Sequence, residues 1–226
     1  MNEITPEGYD IPLSISSEHG RLHGRLALQP GGHGIVVLAH AAVALDERDN
    51  ELARHIRRVG LSTLSVDLLA RQEEHFSDVH NNVPLLARRL LDFLALIKNQ
   101  MLLGELQQQP LGLCAANTTS PVAVRVAALR DHDIRAVVCR GGLIDLAGMT
   151  YLRSLSSPLL LLVEETDDLH VISNRRALQK TTCRNELVVI PEIGIDYAVS
   201  KGFEIAAEKT SQWFVKCFTD VSGKLP

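Results

Sequence analysis

From residue 34 onward, apolar residues cluster in short unbroken runs instead of alternating with polar ones. Residues 34–39 (GIVVLA), 61–66, 111–116, 134–139, 158–163 and 187–190 are such runs, and each predicts a strand buried on both faces. Between them the period becomes helical. Leu86, Leu90, Leu91, Leu94 and Ile97 form one apolar stripe. Phe203, Ala206, Ala207, Thr210, Trp213, Phe214 and Cys217 form another. Strands alternating with helices imply right-handed βαβ units, a mostly parallel sheet and helices on both of its faces. The start of the chain differs. Residues 11–15 and 22–28 alternate apolar and polar around Glu18-His19-Gly20, which predicts an antiparallel hairpin at a sheet edge. Pro30-Gly31-Gly32 breaks the chain after it. The expectation is one three-layer α/β domain over residues 1–226, with residues 1–30 extending the sheet as the hairpin.

Composition narrows the class. The chain has 226 residues, 46% hydrophobic and 22% charged, with 15 Gly and 9 Pro, which excludes disorder, collagen and coiled coil. No run approaches the ~18 consecutive apolar residues of a membrane span. The Met1-Asn2-Glu3-Ile4 start has neither the basic nor the apolar region of a signal peptide, so a cytoplasmic location is expected. Net charge is −4. The pairs Arg57-Arg58, Arg88-Arg89 and Arg175-Arg176 read as solvated helix faces, and no domain-wide basic patch points to nucleic acid. Cys114, Cys139, Cys183 and Cys217 contain no C-x-x-C spacing and read as reduced thiols.

In a parallel α/β sheet, ligands bind beyond the carboxyl ends of the strands. The turns after residues 39, 66, 116, 140 and 163 are therefore the places to search. They carry His40, Asp67, Asn117-Thr118-Thr119, Arg140-Gly141-Gly142 and Glu164-Glu165-Thr166-Asp167-Asp168. The ordered set resembles the dienelactone-hydrolase-like branch of the α/β-hydrolase superfamily over residues 34–216. It rests on the strand ending in His40, on Asp67-Leu68-Leu69, on residues 83–91 (VPLLARRLL), on Arg140-Gly141-Gly142 with Asp145-Leu146-Ala147, and on the acid past residues 159–163.

The resemblance implies a nucleophile on a sharp G-x-S-x-G elbow, followed along the chain by an acid and a histidine. The matching segment is Ala115-Ala116-Asn117-Thr118-Thr119. The nucleophile position falls on Asn117, an amide with nothing to ionise, and both flanking glycines are gone. The acid position falls on Asp167, which reads equally well as the N-cap of a helix over residues 171–178. The histidine belongs after residues 187–190, in Pro191-Glu192-Ile193-Gly194-Ile195-Asp196-Tyr197. None is there, and the last of nine histidines is His170. Where the family has glycine after His40, this chain has Ala41-Ala42-Val43, whose side chains would crowd a pocket. In subtilisin, losing the nucleophile or the histidine alone costs about 10⁶ in kcat. Hydrolysis by the standard triad is therefore not expected.

Other residues offer alternatives. Gly112-Leu113-Cys114-Ala115-Ala116 is similar to a G-x-C-x-G elbow, which would make Cys114 the nucleophile. A core cysteine is the plainer reading. His170 would serve as a non-standard base, against the plainer reading of a surface histidine at a helix start. His75 and His80 look metal-like, but their polar surroundings promise no ligand set, and neither metal nor cofactor is expected. Ser120 before Pro121 reads as a helix cap. The expected pocket is lined by His40, Ala41, Ala116, Thr118 and Arg140. The functional expectation is a catalytically degenerate α/β-hydrolase-fold protein that binds a small molecule or a protein partner. The alternatives are a hydrolase of small esters or lactones using Cys114, and a cofactor-free non-hydrolytic enzyme using His40 and Asp167. Neither nucleic acid nor membrane is an expected partner, and homo-oligomerisation stays open.

Overall fold

The computed structural model describes residues 9–41, 47–130, 132–191 and 201–220, with only the backbone of Tyr9. Among these residues eight strands form one sheet in the order β1-β2-β4-β3-β5-β6-β7-β8. They are β1 (Tyr9–Ser17), β2 (Gly20–Leu28), β3 (Ile35–His40), β4 (Ser62–Asp67), β5 (Leu111–Ala116), β6 (Ile134–Arg140), β7 (Leu159–Glu164) and β8 (Asn185–Ile190). The hairpin β1–β2 is antiparallel and β2 joins β4 antiparallel, while β3 through β8 run parallel. This is the edge hairpin and buried parallel sheet that alternating and continuous apolar runs predict.

Strand side chains alternate between two cores. Val36, Leu38, Cys114, Val138, Leu160 and Leu162 meet α1 (Glu47–Arg58) and α7 (Lys201–Thr219) on one face. Val37, Leu64, Leu113, Val137 and Leu161 meet α3 (Val83–Leu102), α4 (Ser120–Leu129), α5 (Met149–Ser154) and α6 (Asp168–Leu178) on the other. The short α2 (Ser77–His80) precedes α3. Each fully buried Leu or Phe contributes roughly 1.5–3 kcal/mol relative to an exposed one. Both helical stripes face the sheet, although Leu91 is only half-buried and Phe93 takes the deeper position.

Two sequence expectations need correction. Arg89 is not on a solvated face: it is 2% exposed and grips Glu73, itself 3% exposed. Its Nη1 donates to Glu73 Oε2 at 2.7 Å and its Nη2 to Oε1 at 2.7 Å, while Nη1 also donates to Leu68 O at 2.8 Å. Glu73 Oε2 accepts from Ala70 N at 2.9 Å. The pair pins the segment after β4 to α3, and a bidentate fork with extra backbone partners makes a buried charge tolerable. Ser120 does not cap its helix either. It is already helical, and its hydroxyl donates to Gly141 O at 2.8 Å, tying α4 to the turn after β6.

Candidate functional site

The chain turns sharply where β5 ends. Asn117 has φ +50°, and among the described residues no other non-glycine has a positive φ. Asparagine tolerates this left-handed conformation better than most residues. A 3-10 turn, Asn117–Thr119, leads straight into α4. Thr119 locks the turn from beneath: its hydroxyl accepts from Ala116 N at 3.1 Å and shares its proton between Ala116 O at 2.8 Å and Ala39 O at 2.9 Å. Asn117 therefore stands at the apex.

The turn after β6 makes room for that apex. Gly141 and Gly142 have φ +67° and +76°. A Cβ on Gly142 would lie 2.1 Å from Asn117 O, and one on Gly141 2.8 Å from Asn117 Oδ1. Glycine is thus required here by both conformation and contact. Asn174 of α6, which is buried, braces the same turn. Its Nδ2 donates to Gly142 O at 2.8 Å and its Oδ1 accepts from Ile144 N at 3.2 Å. No sequence signal singled out Asn174. A polar residue amid the apolar stripe of a helix is the only hint of such a brace.

A cavity of about 260 Å³ opens above the carboxyl ends of β5, β6 and β7. Ala116, Asn117, Gly141, Gly142, Leu162, Val163 and Ile190 line it. Arg48, Asp49, Arg140, Glu164, Asp167 and His170 supply its charged and titratable lining. The expected site residues Ala116, Asn117, Arg140 and Asp167 thus come together. Thr118 and Ala41 do not line the cavity. Thr118 is exposed, and Ala41 O faces Nδ1 of His80 at 3.2 Å, whose Nε2 faces Glu74 O at 3.1 Å. Ala42 and Val43, and residues 192–197 where a histidine would belong, lie outside the described residues.

His40 acts from behind the cavity wall. It is 8% exposed, and its Nδ1 meets Asp49 Oδ2 at 2.9 Å. Asp49 Oδ1 accepts from Arg140 Nη2 at 2.9 Å. Burial works to raise the Asp49 carboxyl, but His40 and Arg140 outweigh it and hold the carboxyl far below the usual range. Asp67, across from His40 on β4, is the opposite case. Burial pushes its carboxyl up in spite of His40 and His23, and its Oδ1 has no hydrogen-bond partner. Sequence reasoning missed Asp49. A buried histidine at a strand end needs a partner, but which helix residue supplies it depends on how α1 packs.

Asp167 caps α6, its Oδ1 accepting from His170 N at 3.2 Å, while its Oδ2 closely contacts Nδ1 of the same histidine. Burial would raise the Asp167 carboxyl, but its contacts with the His170 side chain and backbone outweigh that and hold it below its ordinary value. Asp167 is thus the N-cap of α6, one of its two expected readings, and it also lines the cavity. Cys114 is elsewhere. It is 1% exposed inside β5, does not line the cavity, and burial pushes its thiol up to about 11. Among the described residues no group of His, Cys, Asp and Glu is arranged to hold a metal, and no helix is long and apolar enough to cross a membrane.

No family model matches the chain. It is 31% identical over 194 residues to two Mycobacterium tuberculosis proteins, from strains CDC 1551 and H37Rv, each named "Putative phosphoribosyl transferase". That match covers 85% of this chain and 43% of theirs, so the chain spans less than half the length of these relatives. Among solved structures, a dienelactone hydrolase from Anabaena variabilis superposes with a TM-score of 0.80 at 29% identity, covering 92% of this chain and 98% of that one. Est1E from Butyrivibrio proteoclasticus superposes with a TM-score of 0.73 at 10% identity, covering 92% and 99%. The second likeness concerns fold alone, whereas the first also extends to sequence over almost the whole of both chains. The fold is that of the α/β-hydrolases, and within it the chain is similar to the dienelactone-hydrolase-like branch.

Proposed function

We propose that the chain binds a small, polar, hydrogen-bonding molecule in the cavity above Asn117, and that it forms no covalent acyl-enzyme. One observation carries this reading: the apex residue at φ +50°, which lines the cavity, is an asparagine. An amide has no proton to surrender and cannot be activated as serine or cysteine is. The surrounding chemistry suits recognition. Arg48 and Arg140, with Asp49, Glu164 and Asp167, offer donors and acceptors to a polar ligand. Cys114 does not rescue the covalent route, because a buried thiol raised to about 11 is not a thiolate at neutral pH. The name carried by the mycobacterial relatives belongs to proteins more than twice the matched length. A hydrolase reading is favoured by the names of the structural neighbours, and it requires chemistry without a nucleophilic side chain.

The test is covalent labelling with a fluorophosphonate read by intact mass, alongside ligand-observed NMR with small carboxylic acids, amides and lactones. Binding that is lost in Asn117→Leu, with no adduct, is the expected outcome. A fluorophosphonate adduct would overturn the reading, and so would a full panel without a single binder.

A further inference from the structure

A second cavity, of about 230 Å³, lies at the other end of the sheet. It is lined by Ile134, the first residue of β6, by Pro158 just before β7 and by Arg184 just before β8, so it opens at the amino ends of these strands. Ile134 lines this cavity and Arg140 the one beside Asn117, so about 20 Å of β6 separates the two. Cys217 of α7 and Asp220 just beyond that helix complete the polar lining with Arg135 and two serines.

Two guanidiniums converge here on one residue. Arg135 Nη2 donates to Asp220 O at 3.3 Å, and Arg184 Nη1 lies 3.6 Å from Asp220 Oδ2. Arg184 Nη2 donates to Cys217 Sγ at 3.1 Å, and its guanidinium carbon stands 5.1 Å from the centre of the Trp213 ring. Trp213 and Cys217, one turn apart on α7, thus hold the Arg184 fork in place. Asp220 is the one acid among the lining residues, and it pairs with Arg184. Arg135 spends an N–H on a carbonyl and makes no ion pair among the described residues. Burial pushes the Cys217 thiol up in spite of Arg184 and Lys216, so the thiol stays neutral and offsets neither arginine. The cavity therefore carries excess positive charge in a chain whose net charge is −4. Asp220 shows what suits it: a carboxylate beside a guanidinium. That pair is half-exposed on both sides, a kind that contributes little and exchanges readily.

We propose that this cavity is a second ligand site, which binds a small carboxylate with an apolar tail between Arg135 and Arg184. The planar guanidinium fork matches the two oxygens of a carboxylate, and two such forks meet at Asp220. The incoming carboxylate takes the place of the Asp220 carboxylate beside Arg184 and gives Arg135 the counter-ion it lacks among the described residues. Ile134 and Pro158 supply apolar lining for the tail. The site shares no residue with the cavity beside Asn117, so it stands or falls independently of the function proposed there.

The chain supplies its own reporter, because Trp213, which stacks on Arg184, is its single tryptophan. The experiment titrates the purified full chain at neutral pH and fixed ionic strength with cyclohexanecarboxylate, read by Trp213 emission and by calorimetry. Saturable binding is expected. Cyclohexanecarboxamide, which has the same shape without the charge, should not bind, and inorganic phosphate, which has no apolar tail, should bind about tenfold more weakly or less. Arg135→Gln, a half-buried change that leaves Arg184 on Trp213, should weaken binding about tenfold or more. Arg184→Lys keeps the charge, loses the fork and should weaken it several-fold. Asp220→Asn removes the competing carboxylate and should tighten it several-fold. Asn117→Leu should leave the affinity unchanged. The proposal is overturned by the absence of saturable binding in both readouts, by equal binding of the carboxamide or of phosphate, by an Arg135→Gln variant that binds as the parent does, or by weaker binding in Asp220→Asn. Loss of binding in Asn117→Leu would put the ligand in the other cavity and overturn it too.

Discussion

At the scale of single residues, the site depends on two backbone conformations meeting. Gly142 must be left-handed and must also lie against Asn117 O, so Gly142→Ala suffers strain and collision together. We expect a loss of about 3 kcal/mol or more in urea unfolding. Gly31 is the control. It shares the φ of +67° seen at Gly141, but a Cβ added there would meet nothing within 4 Å, so Gly31→Ala should cost only about 1 kcal/mol. If the two variants unfold at the same urea concentration, the close approach at Gly142 is not what makes glycine necessary. Asp67 is a residue the fold tolerates at a cost. Its carboxyl is raised in the folded state, so the charged form is disfavoured there and stability is lost as pH rises through the ordinary carboxylate range. Asp67→Asn should therefore stabilise the protein near about pH 7, and the gain should vanish near about pH 3. Equal effects at both pH values would contradict this. Cys114 should react with iodoacetamide far more slowly in the folded chain than in the unfolded one, with the half-exposed Cys183 labelling first by peptide mapping.

At the scale of elements, the polar anchors lie where one element must be held to another. Arg89 and Glu73 join α3 to the segment after β4, and Asp49 joins α1 to β3 and β6 through His40 and Arg140. Breaking a buried pair leaves an uncompensated charge, so Arg89→Met should cost about 3–5 kcal/mol, and adding Glu73→Gln should recover part of that. A double variant no more stable than the single one would mean that the loss comes from packing of the arginine stem. Glu73 and Asp49 have carboxyls below their ordinary values when folded, Glu73 through Arg89 and Ala70 N despite opposing burial. Each contributes stability above the unfolded carboxylate pKa, and that contribution is lost as pH falls below it. The wild type should lose stability steeply on acidification, and Arg89→Met/Glu73→Gln less so. The elements themselves were legible: unbroken apolar runs gave the parallel strands, alternation gave the hairpin, and both helical stripes found the sheet. Arg89 was not legible. In one dimension it is a basic residue beside another on a helix, and only the packing of α3 against the segment after β4 buries it while Arg88 stays exposed.

At the scale of the whole molecule, hydrophobic periodicity determined the layers, because burial on one or both faces of an element is written directly into its period. Sequence also determined which residues stand at the carboxyl ends of the strands, and so brought Ala116, Asn117, Arg140 and Asp167 to attention. It determined that no histidine follows residue 170, a fact of composition that no folding can alter. Tertiary structure decided the rest. It set Asn117 at a left-handed apex against Gly141 and Gly142, because that conformation depends on a neighbouring strand's turn yielding space. It buried Cys114 inside β5, because the strand's register sends that side chain beneath α1 and α7. It chose Asp49 as the partner of His40, brought Asn174 to the Gly142 carbonyl, and set His170 beside Asp167 at the cavity's rim. These are contacts between residues distant in the chain, or between side chains whose direction is fixed by a helix's docking, and a linear pattern carries no record of either.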